Sequence, residues 1–194
     1  MSQPKSKPEV IEFLKNRRSV LIKDLIEPGP NKDELETLLT IATRVPDHRK
    51  LEPWRLLVIR GEGRGLAGQK LADIRAKKHD LIPLQLEIEA NNFNRAPLVI
   101  AVVSSPVEGN TPIEEQTCSG AVVAQHINLA AAALGYASQW VTGWSCLDKD
   151  AQKALGLAEH EWIIGYVYVG STEVEPADRA RPDLAEKVTY LGKP

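Results

Sequence analysis

Cysteine is scarce in this chain: Cys118 and Cys146 are the only two in 194 residues. Their spacing matches neither a metal-ligand pair nor a redox pair, which argues for a reducing, cytoplasmic setting. Net charge is slight as well, -2 at neutral pH with a pI near 6.1. No global field therefore draws the chain toward nucleic acid or an anionic membrane. The first residues, with Lys5, Lys7, Glu9 and Glu12, lack the apolar run of a secretory signal. No apolar stretch reaches the roughly 20 residues of a membrane span. Internal repeats and low-complexity tracts are absent too.

Familiar catalytic signatures fail one residue at a time. Gly143-Trp144-Ser145-Cys146-Leu147 lacks the closing glycine of a nucleophile elbow. His160-Glu161 has no second histidine to complete a zinc helix. Gly61-Glu62-Gly63-Arg64-Gly65-Leu66 places leucine where a dinucleotide fingerprint needs its third glycine, so it reads as a strand-to-helix turn. A Walker phosphate loop is missing, and His48, His79, His126 and His160 are scattered. Any hard chemistry would have to be carried by a bound cofactor.

What is present is ordinary in bulk and informative in detail. At 43% hydrophobic and 26% charged residues, the chain suits a single globular domain with a sizeable core. Ser119 to Leu134 reads as a helix rich in alanine and apolar nearly all round, the pattern of a helix buried on several sides. Gly135 fits the left-handed position after it, and Ala137 to Thr142 follows as a strand.

Upstream, Pro8 opens a helix carrying Val10, Phe13 and Leu14, which runs into Arg17-Arg18-Ser19. Two guanidinium groups and a hydroxyl form a donor cluster suited to phosphate. Asn31 and Glu34 stand at capping-box spacing ahead of a helix that ends near Arg44. The segment 44–55, Arg-Val-Pro-Asp-His-Arg-Lys-Leu-Glu-Pro-Trp-Arg, reads equally as a binding loop and as a proline-stiffened connection. Strands are expected at Leu56 to Ile59, Leu98 to Val103 and Trp162 to Val169, with helices at Arg64 to Lys78 and Leu84 to Phe93. Asp148 caps a short helix ending at Gly156, and Ser171 to Pro194 reads as an extended arm. The alternation of strands and helices suggests, on pattern alone, a doubly wound parallel sheet.

Taken in order, Arg17-Arg18-Ser19, Arg44-Val45-Pro46-Asp47-His48, Pro53-Trp54-Arg55, the stretch Gln116 to Trp144, and Trp162-Ile-Ile-Gly-Tyr-Val-Tyr-Val-Gly170 resemble the short, single-domain bacterial branch of the nitroreductase family. The resemblance runs from about Val10 to Gly170. It implies an α+β three-layer sandwich around a mixed, mostly antiparallel sheet, which replaces the parallel-sheet expectation. It further implies a homodimer with flavin mononucleotide (FMN) at the interface, residues 1–170 forming one FMN-binding domain and 171–194 an arm packing on the partner subunit.

Carried over by position, the resemblance assigns Arg17, Arg18 and Ser19 to the flavin phosphate and ribityl chain. Arg44 and His48 would reach the flavin of the other subunit from a loop shaped by Pro46 and Asp47. Trp140, Val141 and Thr142 form a second flavin-contacting segment. Ala130, Ala131, Ala132, Ala133, Leu134 and Gly135 match a stretch assigned to the nicotinamide nucleotide. No residue is cast as a catalytic acid or base, and no metal is expected. The implied activity is NAD(P)H-dependent reduction of small acceptors such as nitroaromatics or quinones, in two half-reactions at one site. A flavin-handling or sensing protein of the same fold is the alternative. Val20-Leu21-Ile22 and Val141 stand where relatives often carry cations. Each missing charged hydrogen bond is worth about 1.5–3 kcal/mol, so weaker flavin retention is expected.

Overall fold

A computed structural model describes residues 5–192. Its centre is a four-stranded sheet in the order β1-β2-β4-β3, formed by Trp54–Arg60 (β1), Leu98–Ser104 (β2), Ala137–Val141 (β3) and Trp162–Gly170 (β4). All three pairings are antiparallel. The doubly wound parallel sheet suggested by pattern is therefore not what forms, and among the described residues the sheet contains no parallel pair. β2 is buried at every position, and β4 nearly so. Burial on both faces produces the same continuous apolar run in a central antiparallel strand as in a parallel one.

The two faces are covered by different helices, giving three layers. Leu98, Ile100 and Val102 of β2, with Val167 and Val169 of β4, face the helices α2 (Lys32–Ala42) and α5 (Ile113–Ala133). Val99, Ala101 and Val103, with Tyr166 and Tyr168, face α3 (Gly63–Lys78) and α6 (Lys149–Ala154) together with Phe93. The strand period of two sorts one apolar run into two cores. A short α4 (Pro83–Ala90) crosses α3 so closely that a Cβ on Gly68 would overlap the carbonyl of Ala90.

Local chemistry explains the helix ends. Asn31 accepts from the amides of Asp33 and Glu34 while the Glu34 carboxylate accepts from the Asn31 amide, closing the expected capping box. Asp148 caps α6 by accepting from the Ala151 amide. The core helix α5 starts six residues before the expected Ser119, at Ile113. Glu114 and Glu115 lie in its first turn, where negative charge favours the helix start, and their polarity hides that turn from an apolar pattern. Gly135, at φ 86, makes the left-handed exit into β3.

The first helix, α1 (Pro8–Asn16), buries none of its residues, and Val10, Ile11 and Leu14 are exposed on it. After β4, Ser171 exchanges two backbone hydrogen bonds with Ile26, each 2.9 Å. The rest of the described tail is mostly exposed and irregular, apart from the one-turn helix α7 (Leu184–Lys187). Residues 1–4 and 193–194, the outer ends of the domain and arm expected from sequence, lie outside the described residues.

Candidate functional site

Arg17 caps the end of α1, its amide donating to the Phe13 carbonyl, and the chain then turns onto the edge of β3. The Val20 amide donates to the Ser138 carbonyl at 3.2 Å, and the Ile22 amide to the Gln139 side chain at 2.7 Å. Val20 and Ile22 are buried in the core, with Leu21 between them exposed. That in-out-in packing accounts for the apolar run after Ser19. Two of the three groups assigned to the flavin by resemblance, Arg17–Ser19 and Trp140–Thr142, are thereby brought to one edge of the sheet.

A guanidinium cluster forms there that the motif alone does not contain. Arg18 Nη1 donates to the Ala177 carbonyl at 2.6 Å and to Asp178 Oδ1 at 2.9 Å. Arg181 donates to the same Asp178 oxygen at 2.9 Å. Partial burial lowers the Arg17 pKa from its usual value, and the like charges of Arg181 and Arg18 lower it further. Two guanidinium groups thus share one carboxylate, and Arg17 feels the charge of both. Such a crowd of like charge is unfavourable alone and is relieved by an anion, the arrangement a phosphate site requires. Ser19 lies exposed beside it.

At the far end of β3, Trp140 lies across β4. A side chain at position 165 would overlap Trp140 Nε1 and approach the Val141 carbonyl to 2.9 Å, so Gly165 is what admits the indole. Val141, Thr142, Gly143 and Trp144 line a cavity of about 250 Å³ with Ile22, Asn92 and Arg95. Arg95 donates to the Asn92 side chain at 3.3 Å and presents a cation in the cleft that Val141 does not supply. Behind it, Trp144 donates through Nε1 to Glu89 at 3.0 Å, Arg75 donates to the other Glu89 oxygen at 2.9 Å, and the Arg75 guanidinium sits 5.2 Å from the indole centroid. This network ties α3 and α4 to the turn after β3. Tyr166 and Tyr168 have their pKa values raised by burial and remain neutral phenols. A larger cleft, about 720 Å³, between residues 106–113 and Trp162 contains none of the expected residues.

Arg44 and His48 are not brought to this edge. They belong to the loop that enters β1, and β1 and β3 are the opposite edges of the sheet. Three strand spacings, about 14 Å, separate those edges. The loop is built to hold a shape: Asp47 accepts from the amides of Leu51 and Glu52, while Arg49, Lys50 and Glu52 adopt left-handed backbone angles. Ser119 donates to the Pro46 carbonyl at 2.8 Å, and His48 Nδ1 lies 2.8 Å from Glu115, so the start of α5 supports the loop. Within the stretch 130–135, Ala130 and Ala131 are buried in the core against α2, whereas Ala133 and Gly135 are exposed.

The sequence profile of the nitroreductase family matches residues 14–171, most of the chain. The protein belongs to the nitroreductase family. Over 187 residues it is 32% identical to the "Putative NAD(P)H nitroreductase YdjA" of Escherichia coli strain K12, covering 94% of this chain and 100% of that protein. A nitroreductase-like family protein from Bacillus cereus, known from its crystal structure, superposes with a TM-score of 0.79 at 26% identity over 98% of both chains. A Bacteroides fragilis nitroreductase crystallised with bound FMN shares the fold, with a TM-score of 0.70 at 21% identity over 95% of this chain and 99% of that one.

Within the nitroreductase frame, Arg181, Asp178 and Arg95 are candidate site residues that the sequence alone does not single out. Arg181 and Asp178 come from a tail whose charges look like solvated surface, and only long-range pairing brings them to Arg18. Arg95 lies three residues ahead of β2 in no distinctive motif, and only the fold brings it to the turn after β3.

Proposed function

We propose that this nitroreductase-family protein is a homodimeric FMN-dependent oxidoreductase that uses NAD(P)H to reduce small acceptors such as nitroaromatics or quinones, each substrate using one site in turn. The observation that carries this reading is the guanidinium cluster of Arg17, Arg18 and Arg181 at the same sheet edge as the cleft of Val141 to Trp144. The donor set fits the cofactor: charged N–H groups and a hydroxyl suit a phosphate dianion, and a partly apolar cleft with Arg95 and Asn92 suits a planar ring with polar edges. The binding of FMN by the Bacteroides fragilis relative supports the same cofactor here.

In this reading Arg17, Arg18, Ser19 and Arg181 hold the phosphate end, while Trp140, Val141 and Thr142 form one wall of the ring site. FMN, when bound, supplies the acceptance and donation of hydride, so the chain itself needs no acid–base pair. The protein's part is to orient the ring, keep water from one face and leave a surface at which two substrates alternate. Ala132 to Gly135 are assigned to the nicotinamide nucleotide, with Ala130 and Ala131 packing beneath them.

Several features support a dimer. The cleft, about 250 Å³, is smaller than the roughly 300–1,000 Å³ of ordinary ligand pockets, and a partner subunit would supply a second wall. Arg44 and His48 lie by the opposite sheet edge, and we assign them to the partner's site. α1 is nine residues long and buries nothing in its own chain; helices that short are marginal in water without packing. We assign residues 1–170 to the flavin-binding domain and 171–194 to an arm that extends onto the partner, in a cytoplasmic setting consistent with the two free cysteines.

The test is the visible absorption spectrum of the purified protein, read with its mass by light scattering. A yellow dimer that bleaches with reduced nicotinamide nucleotide and recolours with a quinone is expected. A monomer that stays colourless after incubation with excess FMN would sink the proposal. A flavin-loaded dimer that nicotinamide nucleotide does not bleach would leave flavin handling as the role.

A further inference from the structure

We infer that Asp178 is an internal competitor of the cofactor's phosphate and sets how tightly the protein holds FMN; this rests on the proposed flavin site. Arg18 Nη1 has two N–H donors. One is used by the Ala177 carbonyl at 2.6 Å and the other by Asp178 Oδ1 at 2.9 Å. That nitrogen is saturated by the tail. Arg181 spends a further donor on the same carboxylate oxygen. A phosphate oxygen can take these donors only by displacing the carboxylate that already occupies them.

The charge balance makes Asp178 a competitor rather than a replacement. Arg17, Arg18 and Arg181 carry three positive charges against one carboxylate, leaving two unmatched. A dianion satisfies the cluster better than a monoanion, so phosphate wins, but its affinity is reduced by the contacts it breaks. Arg18 is mostly buried, with 20% of its side chain exposed, whereas Asp178 is 74% exposed. The arginine is fixed and the carboxylate is free to swing away. Because Asp178 sits in the irregular tail, cofactor capture and release of residues 177–178 are one event.

The experiment is a titration of flavin-stripped full-length protein and Asp178→Asn, followed by quenching of flavin fluorescence. FMN is the probe and riboflavin, which lacks the phosphate, the control. Exposed ion pairs are worth about 0.2–1 kcal/mol, so the variant should bind FMN roughly 1.5- to fivefold more tightly, with riboflavin affinity unchanged. Unchanged or weaker FMN binding by the variant overturns the inference, because Asp178 would then organise the arginines instead of competing for them. Equal tightening toward both flavins overturns it as well, since the effect would not pass through the phosphate. If neither protein binds FMN, the cofactor assignment falls and this inference with it.

Discussion

The amide of Val20 donates to the carbonyl of Ser138 across 3.2 Å, and through that bond the segment after α1 is fastened to β3. One consequence is geometric: Arg17, Arg18 and Ser19 lie just ahead of the residue pinned to Ser138, and Ile22 lies further along the same edge, where it lines the cleft with Val141 and Thr142. Another is energetic. The arginines are presented by backbone pairing and by the buried Val20 and Ile22, so their side chains can be changed without removing what positions them.

Replacing Arg17 and Ser19 together by alanine should therefore abolish flavin retention and leave the fold intact. Two lost charge-assisted hydrogen bonds at about 1.5–3 kcal/mol each correspond to a hundredfold or greater weakening of FMN binding. Losing Arg17 also relieves its repulsion with Arg18 and Arg181. Flavin content after gel filtration, with circular dichroism as the fold control, decides it; a normal flavin-to-protein ratio would refute the assignment.

Gly165→Ala should loosen the cleft from behind. The added methyl group meets Trp140 Nε1 and the Val141 carbonyl, and the latter is backbone that cannot turn aside. Overpacking of this kind costs typically about 1–3 kcal/mol. We expect a lower urea midpoint together with weaker FMN binding, measured on the same preparation. An unchanged midpoint would mean that the β3–β4 pair shifts freely, and that Gly165 is not what seats the indole.

Glu161 predicts a pH dependence with a definite sign. Arg55 donates to both of its oxygens at 2.6 Å, the Ala158 amide adds a third bond at 2.8 Å, and only 6% of the side chain is exposed. The Arg55 hydrogen bonds are the main cause that holds its pKa down to about 2, below the ordinary 4.5. A depressed carboxylate pKa contributes stability that is complete above the unfolded value and is lost as pH falls through the folded one. The melting temperatures of wild type and Glu161→Gln should thus differ most above pH 5 and converge between about 4.5 and 2. A gap that stays constant through that window would contradict the pairing.

Legibility in the sequence followed the range of the interaction. Asn31 and Glu34 disclosed the start of α2 because a capping box is settled within four residues. Arg17-Arg18-Ser19 and Trp140–Thr142 were readable as local motifs. Strand direction was not, because the unbroken apolar runs of β2 and β4 record burial on both faces and nothing about polarity. The contributions of Asp178 and Arg181 were hidden for a related reason: their pairing with Arg18 spans 160 residues in the case of Asp178, and charged residues in a proline-containing tail look like solvent-facing surface. The separation of Arg44 and His48 from the cleft depends on strand order, which no short pattern encodes.

The order β1-β2-β4-β3 also governs when this molecule can become a sheet. β2 and β3 both pair antiparallel to β4, so they run in the same direction with a gap one strand wide between them. The strand that fills the gap is the last of the four in the chain. A nascent chain leaving the ribosome carries β2, α5 and β3 with inner edges unpaired until Trp162–Gly170 has been made. The β1–β2 pair can form early, but neither core can close before residue 170 is available. Chains truncated ahead of β4 should accordingly collect as chaperone-bound or aggregated species, because exposed apolar strand edges are the surfaces that associate.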